Sequence, residues 1–478
     1  MCFFCAPLWR MSKIITNPLR QKLLLAAVAA GMFLDGLDSS IVNIVLPQIS
    51  ESFEIDAGTV SWVAITYLLM IAGLILVFGK IAERGFLRNI FLGGLLIFTL
   101  GSAACGLSPN YGFLLAFRIL QGIGAAMIAA TAPLLCVTYL PKNMLGMSLG
   151  TMAMTVSLGA VLGPAIGGFL TYYLTWQWVF LINIPIALLA LPFSLHAIPK
   201  DGPRIKQPFD LSGAAFLFGM MVFGVYALER IPHLGIADRQ ILLSTIFGII
   251  CAIAFLSREI SNKTPLINVS IFIARDFTST FIAFFIISVV YMGTFYLLPF
   301  YLLTGMQYDS ALSGLYLLIP PAITAIVGIP MGKWSDRIGR RPFALAACFM
   351  LIAISSIYLV ILPEMGRAPL LAGLILMGLF WGFAGGPAAS RVVDCAPNGE
   401  EGTASSLMVT AMYLGCAIGV AFYATTFTIA SAKEGIVAFS EIDAVTLMNG
   451  FHFSMMIGLL LSITALVLSA IVRDTKKC

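Results

Sequence analysis

Three charged residues lie deep inside apolar stretches of the chain, and their spacing is suited to proton chemistry. Asp35 and Asp38 are three residues apart in the first apolar stretch, which puts both carboxylates on one face of a helix. An ionisable side chain at membrane depth is costly, so it persists when it is paired, hydrated or used. Because two neighbouring carboxylates repel each other when both are charged, one of them is suited to bind and release a proton.

Arg118 lies in the fourth apolar stretch and is the basic residue predicted inside a span. Asp38 lies eight residues before Leu46, and Arg118 lies eight residues after Asn110. At the rise of an α-helix both side chains sit about 12 Å below the same surface. We therefore predict that Asp38 and Arg118 can pair. A switchable pair and a permanent structural salt bridge both remain open, as does a purely structural hydrogen bond for Asp35.

The composition excludes a water-soluble protein. Of 478 residues, 60% are hydrophobic and 10% are charged, whereas soluble domains have roughly 25% charged residues. We predict an all-α integral membrane protein, because fourteen segments have the roughly 20 apolar residues that a span needs. They cover 22–46, 58–79, 87–107, 110–137, 144–172, 177–197, 209–229, 239–257, 277–304, 310–332, 341–362, 368–390, 402–431 and 446–472.

The positive charges predict the orientation. With the N-terminus in the cytosol, the cytosolic loops and helix ends hold 22 Lys and Arg residues and the external ones hold 4, which fits the positive-inside rule. We predict a multi-pass protein of the cell membrane with both termini cytosolic. The net charge of +5 then reflects orientation and not nucleic-acid binding. Residues 1–10 do not resemble a cleaved signal peptide, and Met11 is a second candidate start.

Related patterns recur half a chain apart. The basic segment 79–84 resembles 332–341, and Gly146, Gly159 and Gly163 are matched by Gly402, Gly415 and Gly419. We predict two six-helix pseudo-symmetric bundles, 22–198 and 277–472. A cytosolic linker and two inserted helices occupy 199–276, and short cytosolic tails occupy 1–21 and 473–478. Parallel repeats with a substrate site between them are a known transporter plan.

Several motifs carry a family resemblance. They are the basic loop 332–341, the first-span segment 37–47, the fourth-span segment 118–124, the glycine-rich fifth-span segment 159–168 and the segment 176–185. Together they resemble the major facilitator superfamily and, within it, the fourteen-helix drug:proton antiporters. The first basic loop departs from the family pattern, with Glu83 in place of Asp and Phe86 in place of Gly, which predicts a weaker turn. Gln177 stands between Trp176 and Trp178, where a basic residue is common in the family.

The resemblance implies roles for named residues. Proton coupling and substrate binding fall to Asp35, Asp38, Arg118 and Gln121. The resemblance further implies that the antiporter-motif helix helps to govern exchange between inward and outward states, and pure packing is the alternative role. Its motif residues are Gly159, Gly163, Pro164, Gly167 and Gly168. A cytosolic latch is formed by Gly79, Glu83, Arg84, Gly332, Asp336, Arg337, Gly339, Arg340 and Arg341, or else these charges only set topology. Possible cavity aromatics are Tyr67, Phe295 and Tyr296.

The resulting functional hypothesis is secondary active multidrug efflux. Protons would drive the export of amphipathic, often cationic, small molecules by alternating access, in a monomer within the lipid bilayer. A proton-coupled symporter or facilitator for a metabolite is one alternative, and a non-transporting membrane sensor is another. We expect no enzyme activity, cofactor or metal site, since neither a GxxxxGK[ST] nor a GxSxG motif occurs. The nine cysteines are predicted to be apolar fillers, and Glu229-Arg230 a solvated helix end.

Overall fold

The computed structural model describes residues 14–141, 144–201, 210–235, 237–262, 267, 269–397, 400–431 and 444–472. Within them the chain forms sixteen α-helices that make fourteen crossings long and apolar enough for a membrane. The predicted fold class is confirmed, and most predicted spans agree with the helices to within a few residues. The predicted tails lie largely outside the described residues, as do linker residues 202–209.

The first half of the chain contains six crossings. They are formed by α1 (Pro18–Ser52), α2 (Ala57–Ile81), α3 (Leu87–Gly106), α4 (Tyr111–Tyr139), α5 (Leu145–Tyr173) and the pair α6 (Trp178–Leu181) and α7 (Asn183–Ala197). We call this set the N-terminal half. The face of the bundle at which α1 begins is the N-terminal face, and the face at which α1 ends is the distal face.

Two further helices are inserted before the second half, namely α8 (Leu211–Leu234) and α9 (Arg239–Ser261). The C-terminal half then follows. It comprises α10 (Arg275–Phe300), α11 (Ser310–Ile338), α12 (Arg341–Val360), α13 (Arg367–Phe383) with α14 (Ala389–Asp394), α15 (Glu401–Ser431) and α16 (Ala444–Ile471).

Polar caps define where several helices begin. The side chain of Asn17 accepts the backbone N–H of Leu19, and Pro18 occupies the first turn of α1. Asp56, Asn110 and Asp309 cap α2, α4 and α11 in the same way. Such caps satisfy N–H groups that a helix leaves unpaired. The charged and polar loop residues thus fix the ends of otherwise apolar helices.

The two halves meet along two seams. One seam is formed by α2 and α15, and the other by α5 and α11. Helix α8 packs against both α2 and α15, while α9 packs mainly on α8 and leaves Leu242, Ile246 and Ile253 exposed. Large apolar side chains exposed on one face of a spanning helix are suited to lipid. The inserted pair therefore lies at the periphery, over the α2–α15 seam.

Candidate functional site

Asp38 and Arg118 form a buried ion pair. An Nη of Arg118 lies 2.6 Å from Oδ2 of Asp38, and the two side chains are 1% and 0% exposed, respectively. The guanidinium also donates through Nε to the carbonyl of Val63 in α2 at 2.8 Å. The predicted pairing of α1 with α4 is present in the structure, and it extends to α2.

Two amides complete the surroundings of Asp38. Gln121 and Asn183 donate to its Oδ1 at 2.7 and 2.8 Å. Both amides also reach the hydroxyl of Ser102 in α3, at 3.1 and 3.0 Å. Asp38 thus accepts three hydrogen bonds from side chains of the N-terminal half, and the network joins α1, α3, α4 and α7. Gln121 was predicted for this site from the sequence, whereas Ser102 and Asn183 were not.

Asp35 makes a different kind of contact, because its two oxygens face different halves of the molecule. Tyr67 of α2 donates to Oδ1 at 2.9 Å, and Tyr413 of α15 donates to Oδ2 at 2.8 Å. The ring of Tyr67 also lies under the guanidinium of Arg118, 4.3 Å from its central carbon. Tyr67 therefore contacts Asp35 directly and also contacts Arg118, the ion-pair partner of Asp38. Asp35 in turn links the N-terminal half to the C-terminal half.

A cavity of about 440 Å³ opens between the halves near the N-terminal face. It is lined by the ends of α2, α4 and α15, including Ile75, Lys80, Pro133 and Val409. Val409 lies one helical turn before Tyr413 on α15, which places the Asp35–Tyr413 bond about 6 Å deeper along that helix. The cavity thus lies on the side of this bond that faces the N-terminal face.

The predicted cavity aromatics lie elsewhere. Tyr67, Phe295 and Tyr296 are buried, and none of them is among the residues that line this cavity. Phe295 stacks on Tyr291, and Tyr296 packs against Phe300. Of the three, Tyr67 is hydrogen-bonded to an acid of the site, Asp35. Tyr413 was not singled out from the sequence.

Three glycines of the predicted antiporter motif bring α5 against α1. A Cβ at Gly159 would lie 2.6 Å from the backbone nitrogen of Leu37, and one at Gly163 would lie 2.9 Å from that of Ile41. At Gly167 a Cβ would meet the side chain of Ile44 at 2.6 Å. Real Cβ atoms do not approach so closely. These positions therefore permit close helix packing within the N-terminal half.

Gly168 and Pro164 face the other half. A Cβ at Gly168 would lie 3.1 Å from Cα of Gly314 in α11 and would clash with the carbonyl of Ser310. The carbonyl of Pro164 lies against Gly314 in turn. Near the same place, the amide of Gln48 and the hydroxyl of Ser310 are hydrogen-bonded at 2.7 Å. The motif helix therefore also closes the α5–α11 seam towards the distal face.

The second basic loop ties together helix ends of the C-terminal half. Arg340 forms ion pairs with Asp336 and Asp394. Arg341 donates to the carbonyl of Ala470 at the end of α16, at 2.9 Å. Gly339 has a φ of 104°, a conformation that favours glycine. Arg337 is exposed, and a Cβ at Gly332 would meet nothing within 4 Å.

The first basic loop keeps a sharp turn, contrary to the prediction of a weakened one. Gly85, one residue before Phe86, adopts a φ of 100° and supplies the left-handed conformation. Asp201 then accepts the backbone N–H groups of Arg88 and Asn89 at the start of α3, at 2.7 and 3.1 Å. Gly79 lines the cavity. Glu83 lies in the π-helical turn 82–86 that contains Gly85, and Arg84 lies in the same turn.

The prediction of a solvated end at Glu229-Arg230 is wrong for Glu229. Its side chain is buried, and Trp62 of α2 donates to it through the indole nitrogen at 2.6 Å. The sequence places this residue at a helix end, but α8 continues to Leu234 and packs on α2. Among the residues that the structure describes, no group of three His, Cys, Asp or Glu side chains is placed to hold a metal.

Comparisons with known proteins agree with this architecture. The Major Facilitator Superfamily matches residues 28–420. A riboflavin transporter of Clostridioides difficile is 28% identical over 86% of this chain and 89% of its own length. A multidrug resistance protein B homologue of Mycobacterium tuberculosis is 27% identical over 87% of this chain and 77% of its own length. A methylenomycin A resistance protein of Bacillus subtilis is 29% identical, over 83% and 85% respectively.

Solved structures share the fold at low sequence identity. A bacterial homologue of the lysosomal transporter Spinster, in an inward-facing conformation, has a TM-score of 0.65 at 14% identity and covers 95% of this chain and 98% of its own. A POT-family peptide transporter has a TM-score of 0.67 at 16% identity, covering 93% and 94%. With fourteen crossings and a match over most of its length, the chain belongs to the Major Facilitator Superfamily.

Proposed function

We propose that this transporter exports amphipathic, cationic small molecules in exchange for protons, and that Asp35 carries the proton. The observation that supports this most directly is the position of Asp35 between Tyr67 of the N-terminal half and Tyr413 of the C-terminal half. A proton on Asp35 removes a charge from a contact between the two moving parts. Proton binding and rocking of the halves are thereby linked at one carboxylate.

The proposed orientation places the N-terminal face in the cytosol. The 22 basic residues predicted for that face, against 4 on the other, support this assignment. The cavity is then open to the cytosol, while Gly168 and Gly314 close the external side. A substrate would enter from the cytosol in the conformation described here.

Exchange at Asp35 conserves charge. A cationic substrate that reaches the protonated acid displaces its proton, which leaves through the cavity to the cytosol, and the carboxylate then neutralises the cation. After the halves rock, a proton from outside binds Asp35 and displaces the substrate. One positive charge moves inward for each one that moves outward, so the proton gradient drives export.

Asp38 has a different role in this proposal. Its three hydrogen bonds from Arg118, Gln121 and Asn183 already satisfy the ionised carboxylate. Arg118 stays charged at any physiological pH. The pair therefore stabilises the N-terminal half as one body and holds a fixed positive charge next to Tyr67, the hydrogen-bond donor to Asp35.

Transport of a metabolite, with or without protons, is the second candidate. It is supported by the match to a riboflavin transporter at an identity similar to that of the drug-resistance proteins. A sensor without transport has no corresponding observation in its favour. The acids of the site are compatible with export of a cation and do not explain recognition of a neutral flavin.

The test is proton release by the purified protein on addition of organic cations, neutral amphiphiles or riboflavin. We expect release with cations and none with riboflavin. Asp35→Asn should abolish release, whereas Asp309→Asn should not, since Asp309 is exposed and asparagine can replace it as the cap of α11. Riboflavin binding without proton release would favour the metabolite transporter.

A further inference from the structure

We propose that Glu229 is a second proton-binding site, and that its charge controls a strap by which α8 holds the distal face closed. The strap consists of Leu228 and Glu229 on α8, Trp62 on α2 and Thr425 on α15. The inference rests on the proposed proton coupling and orientation, but it concerns a helix that the transport cycle described above does not use.

The geometry of the strap joins both halves through two adjacent residues. Glu229 accepts from the indole N–H of Trp62 at 2.6 Å, which ties α8 to the N-terminal half. The carbonyl of Leu228 accepts from the hydroxyl of Thr425 at 3.0 Å, which ties α8 to the C-terminal half. The distal ends of α2 and α15 cannot separate unless one of these bonds breaks.

A second contact supports the same packing. The ring of Phe218 lies over Gly73, so that a Cβ there would come within 2.9 Å of a ring carbon. Tyr226 of α8 packs beside Trp62, with ring centroids 6.0 Å apart. Helix α8 is thus fitted to α2 along several turns. The hydrogen bonds of the strap are therefore part of a packed interface between α8 and α2.

Glu229 is the carboxylic acid among the four residues of the strap, and therefore the one whose side chain can exchange a proton. It is 1% exposed, and a buried carboxylate that is merely structural is costly. The ionisable groups near it are Arg230 beside it on α8, with Nε at 3.6 Å, Asp56 at the start of α2, Tyr111 at the start of α4 and Tyr296 on α10. Thr425, the contact from α15, does not titrate.

The charge of Glu229 sets the strength of the strap. The ionised carboxylate accepts the indole N–H in a charge-assisted hydrogen bond, which is roughly twice as strong as a neutral one. A proton from the external side neutralises the acid and weakens its bonds to Trp62 and Arg230. External acid would then favour the outward-open state, in which the proposed cycle takes up its driving proton.

The test measures opening of the distal face, independently of substrate. Ser310→Cys, in a full-length chain without native cysteines, reports on closure because Ser310 packs against Gly168. Its labelling rate by an impermeant maleimide in liposomes is divided by that of exposed Asp309→Cys, which removes the pH dependence of thiol reactivity. Between pH 7.5 and 5.5 we expect this ratio to rise at least threefold.

Variants assign this response to the strap. Glu229→Gln should give a high ratio that does not change with pH, and Trp62→Phe should do the same by removing the donor. Glu259→Gln is the matched control, because Glu259 is also buried in the inserted pair but lies outside the strap. It is near the C-terminal end of α9 and accepts a hydrogen bond from the backbone N–H of Ile267. It should respond to pH as the parent does.

Two results would overturn the proposal. One is a ratio that does not change with pH in the parent chain, and the other is a low, pH-dependent ratio in both Glu229→Gln and Trp62→Phe. Asp35→Asn separates this inference from the proposed function. If that variant retains the pH response, the strap works without Asp35. If transport in the parent shows no dependence on protons while the response persists, only the proposed function fails.

Discussion

At the scale of single residues, two acids one turn apart have different surroundings. Asp38 accepts from Arg118, Gln121 and Asn183 within one half, whereas Asp35 accepts from Tyr67 and Tyr413 across both halves. The i, i+3 spacing puts them on one side of α1, but the small angular difference directs them to different neighbours. Asp38 is thereby suited to hold the N-terminal half together, and Asp35 is suited to respond when the two halves move relative to each other.

The ion pair leads to a prediction about stability. Asp38→Asn or Arg118→Ala alone should lower the free energy of unfolding by about 3–5 kcal/mol, because each leaves a buried charge without its partner. The double variant should cost less than the sum of the two. Thermal unfolding in detergent of the parent, the two single variants and the double variant completes this double-mutant cycle. Strict additivity would contradict the direct contact.

The two tyrosines that donate hydrogen bonds to Asp35 lead to a second prediction. Tyr413→Phe removes the hydrogen bond to the C-terminal half, and Tyr67→Phe removes the one within the N-terminal half. A lost hydrogen bond to a charged group costs about 1.5–3 kcal/mol. We expect Tyr413→Phe to shift the distribution between inward-open and outward-open states about tenfold or more, and Tyr67→Phe to shift it less. Spin-label distances across the α5–α11 seam provide the measurement.

At the scale of helices, two faces of α5 pack against different helices. Gly159, Gly163 and Gly167 bring it against α1, and Gly168 brings it against α11. Substitutions on the two faces should therefore have different consequences. The sequence alone could not assign the residues of this motif to one contact or the other.

Gly168→Ala should destabilise the closed distal face. Its Cβ would crowd Ser310 and Gly314, and such overpacking costs about 1–3 kcal/mol. The population of the closed state should fall accordingly, while thermal stability stays near that of the parent. Gly163→Ala should instead lower thermal stability, since its contact lies within one half. Gly224→Ala, at a position where a Cβ meets nothing within 4 Å, is the control.

The start of α8 offers a prediction about pH. Burial raises the pKa of Asp210, but hydrogen bonds from Gly213, Ser212, Asn262 and Arg258 outweigh this and lower its pKa to about 2. A lowered folded-state pKa means that the stabilisation is complete above the unfolded value near 4 and is lost as pH falls towards 2.

Asp210→Ala should therefore lower the free energy of unfolding by about 1–2 kcal/mol at pH 7, as loss of a helix cap does. The difference between variant and parent should shrink at pH 3. Thermal unfolding at the two pH values gives the comparison. Asp238→Asn at the start of α9, where asparagine still caps, should show little change at either pH. An equal loss at both pH values would mean that the carboxylate charge contributes nothing.

At the scale of the whole molecule, the orientation can be tested directly. In whole cells, single cysteines at Glu54 and Asp309 should react with an impermeant maleimide, and those at Arg337 and Lys80 should react only after permeabilisation. All four positions are exposed in the structure. Because charge asymmetry alone supports the orientation, external labelling at Arg337 would reverse it and the proposed direction of export with it.

Much of the fold follows from the sequence, because apolar length determines a span almost without regard to tertiary contacts. The shared depth of Asp38 and Arg118 was predictable for the same reason, since helical rise converts residue number into depth. The partners of Asp35 were not. Tyr413 lies in the other half of the chain, and its contact depends on how the halves pack. The burial of Glu229 depends likewise on where α8 docks.

The position of α8 and α9 over only one seam has a consequence for hydrophobic substrates. A compound dissolved in the bilayer can approach the contact between the halves sideways, along one of the two seams, as well as from water. On the α2–α15 side that path is covered by the inserted pair. On the α5–α11 side the described helices leave it uncovered. Lateral entry from the leaflet would therefore be one-sided, and a bulky lipid-like compound would approach along α5.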